Sequence, residues 1–252
     1  MTSKGKIYSR DPGAMRCLSC HLNSLCLSAD LPLEEMAQVS DIVRPAVTLG
    51  KREVLRSQGA AFDSLFIVRT GSLKQVVVTD SDEYLVTAFY LPAELIGLDA
   101  IAQCVFPGTF VALETTTVCE IPFDLLDQLC DLSTVVRRRC QQCLSHEIFD
   151  ERLKLHLLLC RTAEVRLACF FEAVSERFRL RGYSPHHFRL ALSRSDIASY
   201  LGLTPETVGR VLVSYQRQSL LIAHGSEYRI LDLEGLKSLA AANGRRHRHR
   251  EA

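Results

Sequence analysis

The chain has no apolar run near the roughly 20 residues that a membrane-spanning helix needs; Leu157-Leu158-Leu159-Cys160 is typical of its longest stretches. Its first 30 residues hold no apolar core followed by a small-residue cleavage site. No signal peptide is therefore expected, the location is expected to be cytoplasmic, and the thiols are expected to be reduced. Charge of one sign is not in excess: 30 Lys and Arg stand against 29 Asp and Glu, a formal net charge of +1. No internal repeat is visible. No Ser-His-Asp set, paired-carboxylate site or phosphate-cradling glycine loop stands out, so the chain is expected not to be an enzyme. Ten cysteines, about 4% of the residues, fall below the density of a secreted disulfide scaffold. What is present is an ordinary globular balance, 47% hydrophobic and 23% charged, which excludes wholesale disorder. The cysteines are left with metal binding, redox chemistry or burial.

The near-zero net charge conceals a split. Residues 1–160 carry 15 basic against 20 acidic side chains, and residues 161–252 carry 15 against 9, a balance of −5 followed by +6. Such a division points to a module that meets a polyanion joined to one that does not. From Gly50 to about Ile121, short runs rich in Val, Ile, Phe and Tyr end at Gly, Pro and Asp clusters, the pattern of antiparallel hairpins. Pro32 to Ser40 predicts one short helix. From Phe123 to about Arg181 the turn residues vanish. There Val136, Cys140, Cys143/Leu144, Ile148, Glu151, Leu155 and Leu158/Leu159 step by three and four, a narrow apolar seam suited to a two-helix contact. A helix packed on its own domain is the plainer alternative. A hairpin is expected around Gly225, and the run Arg245-Arg246-His247-Arg248-His249-Arg250 reads as a coreless, disordered tail.

Ser193-Arg194-Ser195-Asp196 is a helix start, with a side-chain oxygen for orphan amides and an acid in the first turn. Ile197, Ala198 and Leu201 make a short amphipathic helix that stops at Gly202. Thr204 is a plausible N-cap for a second helix, and Pro205 suits its first position because no amide proton is needed there. Helix, short Gly-containing turn, helix is a helix-turn-helix, whose second helix enters the DNA major groove. Glu206 and Arg210 share one face, where Arg can donate to guanine and Glu can accept from cytosine. An ordinary surface ion pair would have the same spacing.

Cys17, Cys20 and Cys26 form C-x2-C-x5-C. Three thiolates this close can wrap one ion or cluster at little loop-closure cost. Three clustered cysteines with one distant partner commonly hold an iron–sulfur cluster, while structural zinc or a thiol switch would use similar spacings. The remaining cysteines (Cys104, Cys130, Cys140, Cys143, Cys160 and Cys169) are expected to be buried, since free Cys behaves as a small hydrophobe.

The run from Phe188 through Ser193-Arg194-Ser195-Asp196-Ile197, Tyr200-Leu201-Gly202-Leu203-Thr204 and Glu206-Thr207-Val208-Gly209-Arg210 resembles the DNA-binding domain of the cyclic AMP receptor/Fnr superfamily of bacterial transcription regulators. The likeness extends from about residue 17 to residue 234. It implies an α+β fold: a cysteine segment over 1–30, a jelly-roll-like antiparallel β-roll sensor domain over 31–131, a dimerisation helix over 132–160, a winged helix-turn-helix over 161–235, and a helix end with a basic tail over 236–252. Leu113 to Phe123 resembles the segment that carries the fourth ligand of Fnr proteins, and Cys119 falls on that position. The resemblance thus implies a [4Fe-4S] cluster on Cys17, Cys20, Cys26 and Cys119, degraded by oxygen to [2Fe-2S] with loss of the active dimer. His21 replaces a small residue beside the second ligand and is expected to face solvent or stand behind the ligands.

For DNA, the resemblance carries over Glu206 and Arg210 as base readers, with Ser193, Ser195, Thr204, Thr207 and Gly209 at the same interface. The Fnr branch presents Glu-x-x-Ser-Arg and reads half-sites like TTGAT. Here Gly209 takes the place of that Ser, as in the cyclic AMP receptor, while Pro205 does not match the receptor's Arg. Implied partners are a palindromic double-stranded DNA site, a second copy of the chain and RNA polymerase. Ile148, Glu151 and Leu155 would meet in the dimer, and Asp82 and Glu83 sit at a hairpin tip equivalent to a polymerase-contacting region. Ala93-Glu94-Leu95-Ile96-Gly97 resembles the turn of cyclic nucleotide sites, yet Thr109-Phe110 stands where such sites place Arg-Ser. Without that cation a buried phosphate is unpaired, so cyclic nucleotide binding is rejected. A regulator sensing nitric oxide or thiol oxidation through the same cysteines, or a zinc or redox protein using its C-terminal domain for protein contacts, are the alternatives.

Overall fold

The computed structural model describes residues 17–160 and 162–241, apart from the side chains of Leu18, His156 and Cys160. The expectations for the segment before Cys17 and for the tail at 245–250 lie outside the described residues. The cysteine loop is a 3₁₀ turn, Cys17–Ser19, continued by tight turns to Asp30. Helix α1 (Leu33–Ile42) follows, then strands β1 (Arg44–Leu49), β2 (Val54–Arg56), β3 (Ser64–Thr70), β4 (Leu73–Val78), β5 (Tyr84–Tyr90), β6 (Leu95–Ile96), β7 (Thr109–Ala112) and β8 (Thr116–Pro122). Two four-stranded sheets result, in the orders β1-β8-β3-β6 and β2-β7-β4-β5. They form the β-roll.

The register of β3 on β8 matters for the chemistry, because it sets Ile67 opposite Cys119. Alternation along a strand then puts Cys119 and Ile121 on one face of β8 and Val118 and Glu120 on the other. Glu120 is buried but satisfied: Arg44 donates to its Oε1 at 2.7 Å and Ser64 at 3.0 Å. Gly71 turns β3 into β4 at φ +79°, where a Cβ would lie 2.8 Å from the Thr116 Cα, so no other residue fits without backbone movement.

Helix α2 (Phe123–Leu132) ends one residue before α3 (Thr134–Cys160), a 27-residue helix. The expected single seam along α3 is divided by the structure. Val136 is fully buried, and Cys140 and Cys143 pack with it against the core of Leu22, Cys26, Leu27, Val39, Ile67 and Ile121. This part of α3 follows the plainer alternative. Ile148, Phe149, Leu153, Leu155 and Leu159 further along are all more than half exposed.

Helix α4 (Ala163–Leu180), β9 (His187–Arg189), α5 (Arg194–Tyr200), α6 (Pro205–Arg217), β10 (Leu221–His224), β11 (Glu227–Ile230) and α7 (Leu233–Ala241) complete the chain. The order β10-β11-β9 makes the wing, with Gly225 at its tip at φ 60°. Contacts group the described residues up to Lys74 with Tyr90–Leu144, and Gln75–Phe89 with the residues from Ser145 onward. No helix among the described residues is long and apolar enough to cross a membrane.

Candidate metal centre and nucleic-acid interface

Cys17, Cys20, Cys26 and Cys119 line one cavity of about 30 Å³, together with Leu22, Leu27, Val39, Val43, Ile67 and Ile121. Three come from the loop before α1 and one from β8, so a 93-residue separation is closed by folding. Burial of Leu22 and Leu27 in the core presses the loop onto the sheet. Arg139 of α3 also holds it, donating from Nη2 to the Cys26 carbonyl at 3.0 Å. Ser40 Oγ accepts from the Cys17 amide at 3.1 Å, and Ser28 Oγ lies 2.9 Å from Cys26 Sγ. His21 is exposed, one of the two positions expected for it.

Burial disfavours the thiolate form at two of these four cysteines. Burial pushes the Cys119 thiol up to about 11, opposed by the Arg69 guanidinium and reinforced by the other three sulfurs. Burial raises Cys17 as well, against the Ser40 hydrogen bond. A group that binds thiolates here must expel protons, and Arg69 is the cation available to offset the gathered negative charge. Among the described residues, no three His, Cys, Asp or Glu side chains are arranged to hold a single metal ion. Four converging thiols among apolar walls fit a thiolate-bound group, one sulfur for each ligand position. Cys104 corrects the burial expectation for the other cysteines. It is exposed, at φ 55° in the turn after Ala100, where no core reaches it. Cys130, Cys140, Cys143 and Cys169 are half-buried, and the Cys160 side chain lies outside the described residues.

Thr109-Phe110, which the resemblance sets against the Arg-Ser of cyclic nucleotide sites, brings no cation to β7. Phe110 is wholly buried, with ring centroids 5.7 Å from Phe106 and 6.0 Å from Tyr90. Ala93 takes φ 76°, a left-handed conformation natural to the glycine of a Gly-Glu-Leu turn.

The helix-turn-helix starts as its sequence dictates. Ser193 caps α5 in a full capping box: its Oγ accepts from the Asp196 amide, and Asp196 accepts from the Ser193 amide, both at 3.0 Å. Gly202 makes the turn at φ 60°. Thr204 caps α6 by accepting from the Thr207 amide at 3.2 Å, with Pro205 at the first helical position. Ile197, Leu201, Val208, Val211, Leu212 and Tyr215 form the buried side of the two helices. This fixes the other side outward: Ser193, Ser195, Thr204, Glu206 and Arg210 are exposed, and Thr207 and Gly209 half-exposed. The Glu206 carboxyl is held below its ordinary range by its own backbone amide and then the Thr204 hydroxyl; Arg210 is not among its partners. An acceptor and a donor thus stand one helical turn apart, on a face free of apolar packing. Arg189 and Arg229, exposed on adjacent wing strands, add positive charge that sequence reasoning had not singled out.

Phe149 and Leu153 extend the exposed apolar stripe of α3 beyond the expected Ile148 and Leu155; their spacing of four was the available signal. Glu151 is exposed and pairs with Lys154 at 3.3 Å. Lys154 also donates to the Thr87 carbonyl and lies over the Tyr200 ring, 4.6 Å from its centroid. Asp82 and Glu83 are exposed at the tip between β4 and β5, where Thr79 Oγ1 accepts from the Glu83 amide at 3.2 Å.

Comparison with known proteins matches residues 165–239 to the Crp-like helix-turn-helix domain and residues 46–133 to the cyclic nucleotide-binding domain. The chain is 45% identical to the transcriptional activator protein FnrA of Stutzerimonas stutzeri over 89% of its length and 92% of that protein. It is 37% identical to the fumarate and nitrate reduction regulatory protein of Yersinia pestis, over 90% of this chain and 91% of that one. The structure of FixK2 from Bradyrhizobium japonicum superposes with a TM-score of 0.71 at 23% identity, covering 77% of this chain and 96% of that chain.

Proposed function

The chain belongs to the Fnr type of the cyclic AMP receptor/Fnr superfamily of transcription regulators, and from that membership we propose that it is oxygen-responsive, active as a dimer that holds a [4Fe-4S] cluster without oxygen. It is a DNA-binding regulator and not an enzyme. The observation that carries the oxygen reading is the convergence of Cys17, Cys20, Cys26 and Cys119 on one apolar cavity. Four thiolates complete the ligand set of such a cluster. The cluster would supply the oxygen-reactive centre. The chain supplies the rest: Leu22, Leu27, Ile67 and Ile121 exclude water, Arg69 offsets charge, and Ser28 and Ser40 hydrogen-bond beside the sulfurs.

The regulator binds DNA through α6. Arg210 reads a guanine and Glu206 a cytosine in palindromic sites resembling TTGAT-N4-ATCAA, and Ser193, Ser195, Thr204, Thr207 and Gly209 approach the same groove. Dimerisation uses the exposed stripe around Ile148 and Leu155, with Glu151 setting its strength; an apolar patch of this kind needs cover. Asp82 and Glu83 contact RNA polymerase. Cyclic nucleotides are not the ligand, because Thr109-Phe110 supplies no cation for the phosphate. The test is one preparation made without oxygen. About four iron and four sulfide per chain, with visible absorbance and DNA affinity both lost in air, are expected; colourless zinc-loaded protein overturns the reading.

A further inference from the structure

Ser133 joins α2 to α3, and across that joint two cysteines outside the four-thiol cavity come together. Cys130 Sγ and Cys140 Sγ lie 3.6 Å apart and share a hydrogen bond. Both are half-buried, and neither lines the cavity of Cys17, Cys20, Cys26 and Cys119. We propose that Cys130 and Cys140 are an oxidisable dithiol that closes into an intrachain disulfide on meeting a peroxide, a modification site independent of the four-thiol centre.

A disulfide has an S–S bond of about 2.05 Å, so closure draws the two sulfurs together by about 1.5 Å, a side-chain adjustment. The roles follow from the surroundings. Burial and then the neighbouring Cys130 sulfur push the Cys140 thiol well above the ordinary range, which keeps it the protonated partner. Burial raises Cys130 too, but the hydrogen bond with Cys140 and the Arg137 guanidinium oppose this, while Asp127 and Asp131 add to it. Cys130, the less strongly raised of the two, is taken as the attacking sulfur. Its thiolate takes one oxygen from the peroxide, breaking the O–O bond, and becomes a sulfenic acid while the other oxygen leaves as alcohol or water. Cys140 then attacks that sulfur and expels water. Two thiols and one peroxide give one disulfide, one alcohol (or water) and one water. The inference does not rest on the iron–sulfur reading.

The full chain, purified without oxygen, is treated with hydrogen peroxide; free thiols are then blocked and the protein is digested with trypsin without reductant. Arg137, Arg138 and Arg139 lie between the two cysteines, so a bond joins peptides that would otherwise separate. A peroxide-dependent peptide pair linked through Cys130 and Cys140 is expected. It should persist in Cys104→Ser and Cys143→Ser and vanish in Cys140→Ser. Recovery of both Cys130 and Cys140 carrying the blocking group, or linkage of Cys130 to Cys143, overturns the proposal. The wild-type mapping decides it even where a variant misfolds.

Discussion

The DNA-reading segment and the thiol cavity are built on different principles. Between Ser193 and Arg210 every functional feature is set by residues a few positions away: a capping box, a glycine turn, a threonine cap and a proline at the first helical position. Its polar groups face outward because their apolar neighbours are buried. The cavity instead depends on a strand register, Ile67 against Cys119, and on a loop that seats Leu22 and Leu27 in a core shared with α2 and α3. Local chemistry makes the first robust to change elsewhere. The second fails if any one of several elements fails.

The largest expected effect tests that dependence. Cys119→Ala removes the one thiol that the sheet contributes, leaving three on a loop. Iron retention should fall from about four per chain to essentially none, read by iron and sulfide analysis of protein purified without oxygen. Cys104→Ala, at an exposed turn, should keep the full complement. Retention of a complete cluster by Cys119→Ala would remove the sheet from the site.

The DNA-reading side should break one base at a time. Arg210→Ala should cost about 1–3 kcal/mol on sites containing the guanine and relax selectivity at that base pair alone. Competition binding against single-position site variants measures it. An equal loss on every sequence would make Arg210 a phosphate contact.

What could be read from the sequence follows the same division. The caps at Ser193 and Thr204, the turn at Gly202 and the wing around Gly225 were legible because their signals are local. Cys17, Cys20 and Cys26 were legible as a group, but Cys119 was assigned only by resemblance, since no spacing rule links a loop to a strand 93 residues away. The division of the α3 seam was not legible. Val136 and Ile148 look alike in a helical pattern, and only the presence of the cysteine loop over the first turns distinguishes them. Cys104 misled for the opposite reason: burial is the average for its type, and a positive-φ turn overrode the average.

A smaller effect separates folding of the DNA-reading segment from its chemistry. Ser193→Ala removes the cap and half of the capping box, and should destabilise the DNA-binding domain by about 1 kcal/mol. Denaturant unfolding reads this. Iron content should be unchanged, because the cavity is lined by the cysteine loop, α1, β3 and β8; a drop in iron retention would show that the two principles of construction are not separate.

The smallest effect concerns the helix that serves both regions. In a parallel dimer, two Glu151 carboxylates on the exposed stripe of α3 would approach and repel. The structure tempers this, because Lys154 pairs with Glu151 at 3.3 Å while anchored to the Thr87 carbonyl and the Tyr200 ring. Glu151 is more than half exposed, so solvent screens the remainder. Glu151→Ala should therefore favour the cluster-free dimer only several-fold, about 1 kcal/mol. Lys154→Met should act in the opposite sense by leaving the carboxylates uncompensated, and the double variant should resemble Glu151→Ala. Sedimentation of the three proteins in air at matched concentration measures the monomer fractions. Equal fractions in wild type and Glu151→Ala would mean that the stripe, not the acid, sets the dimer's strength.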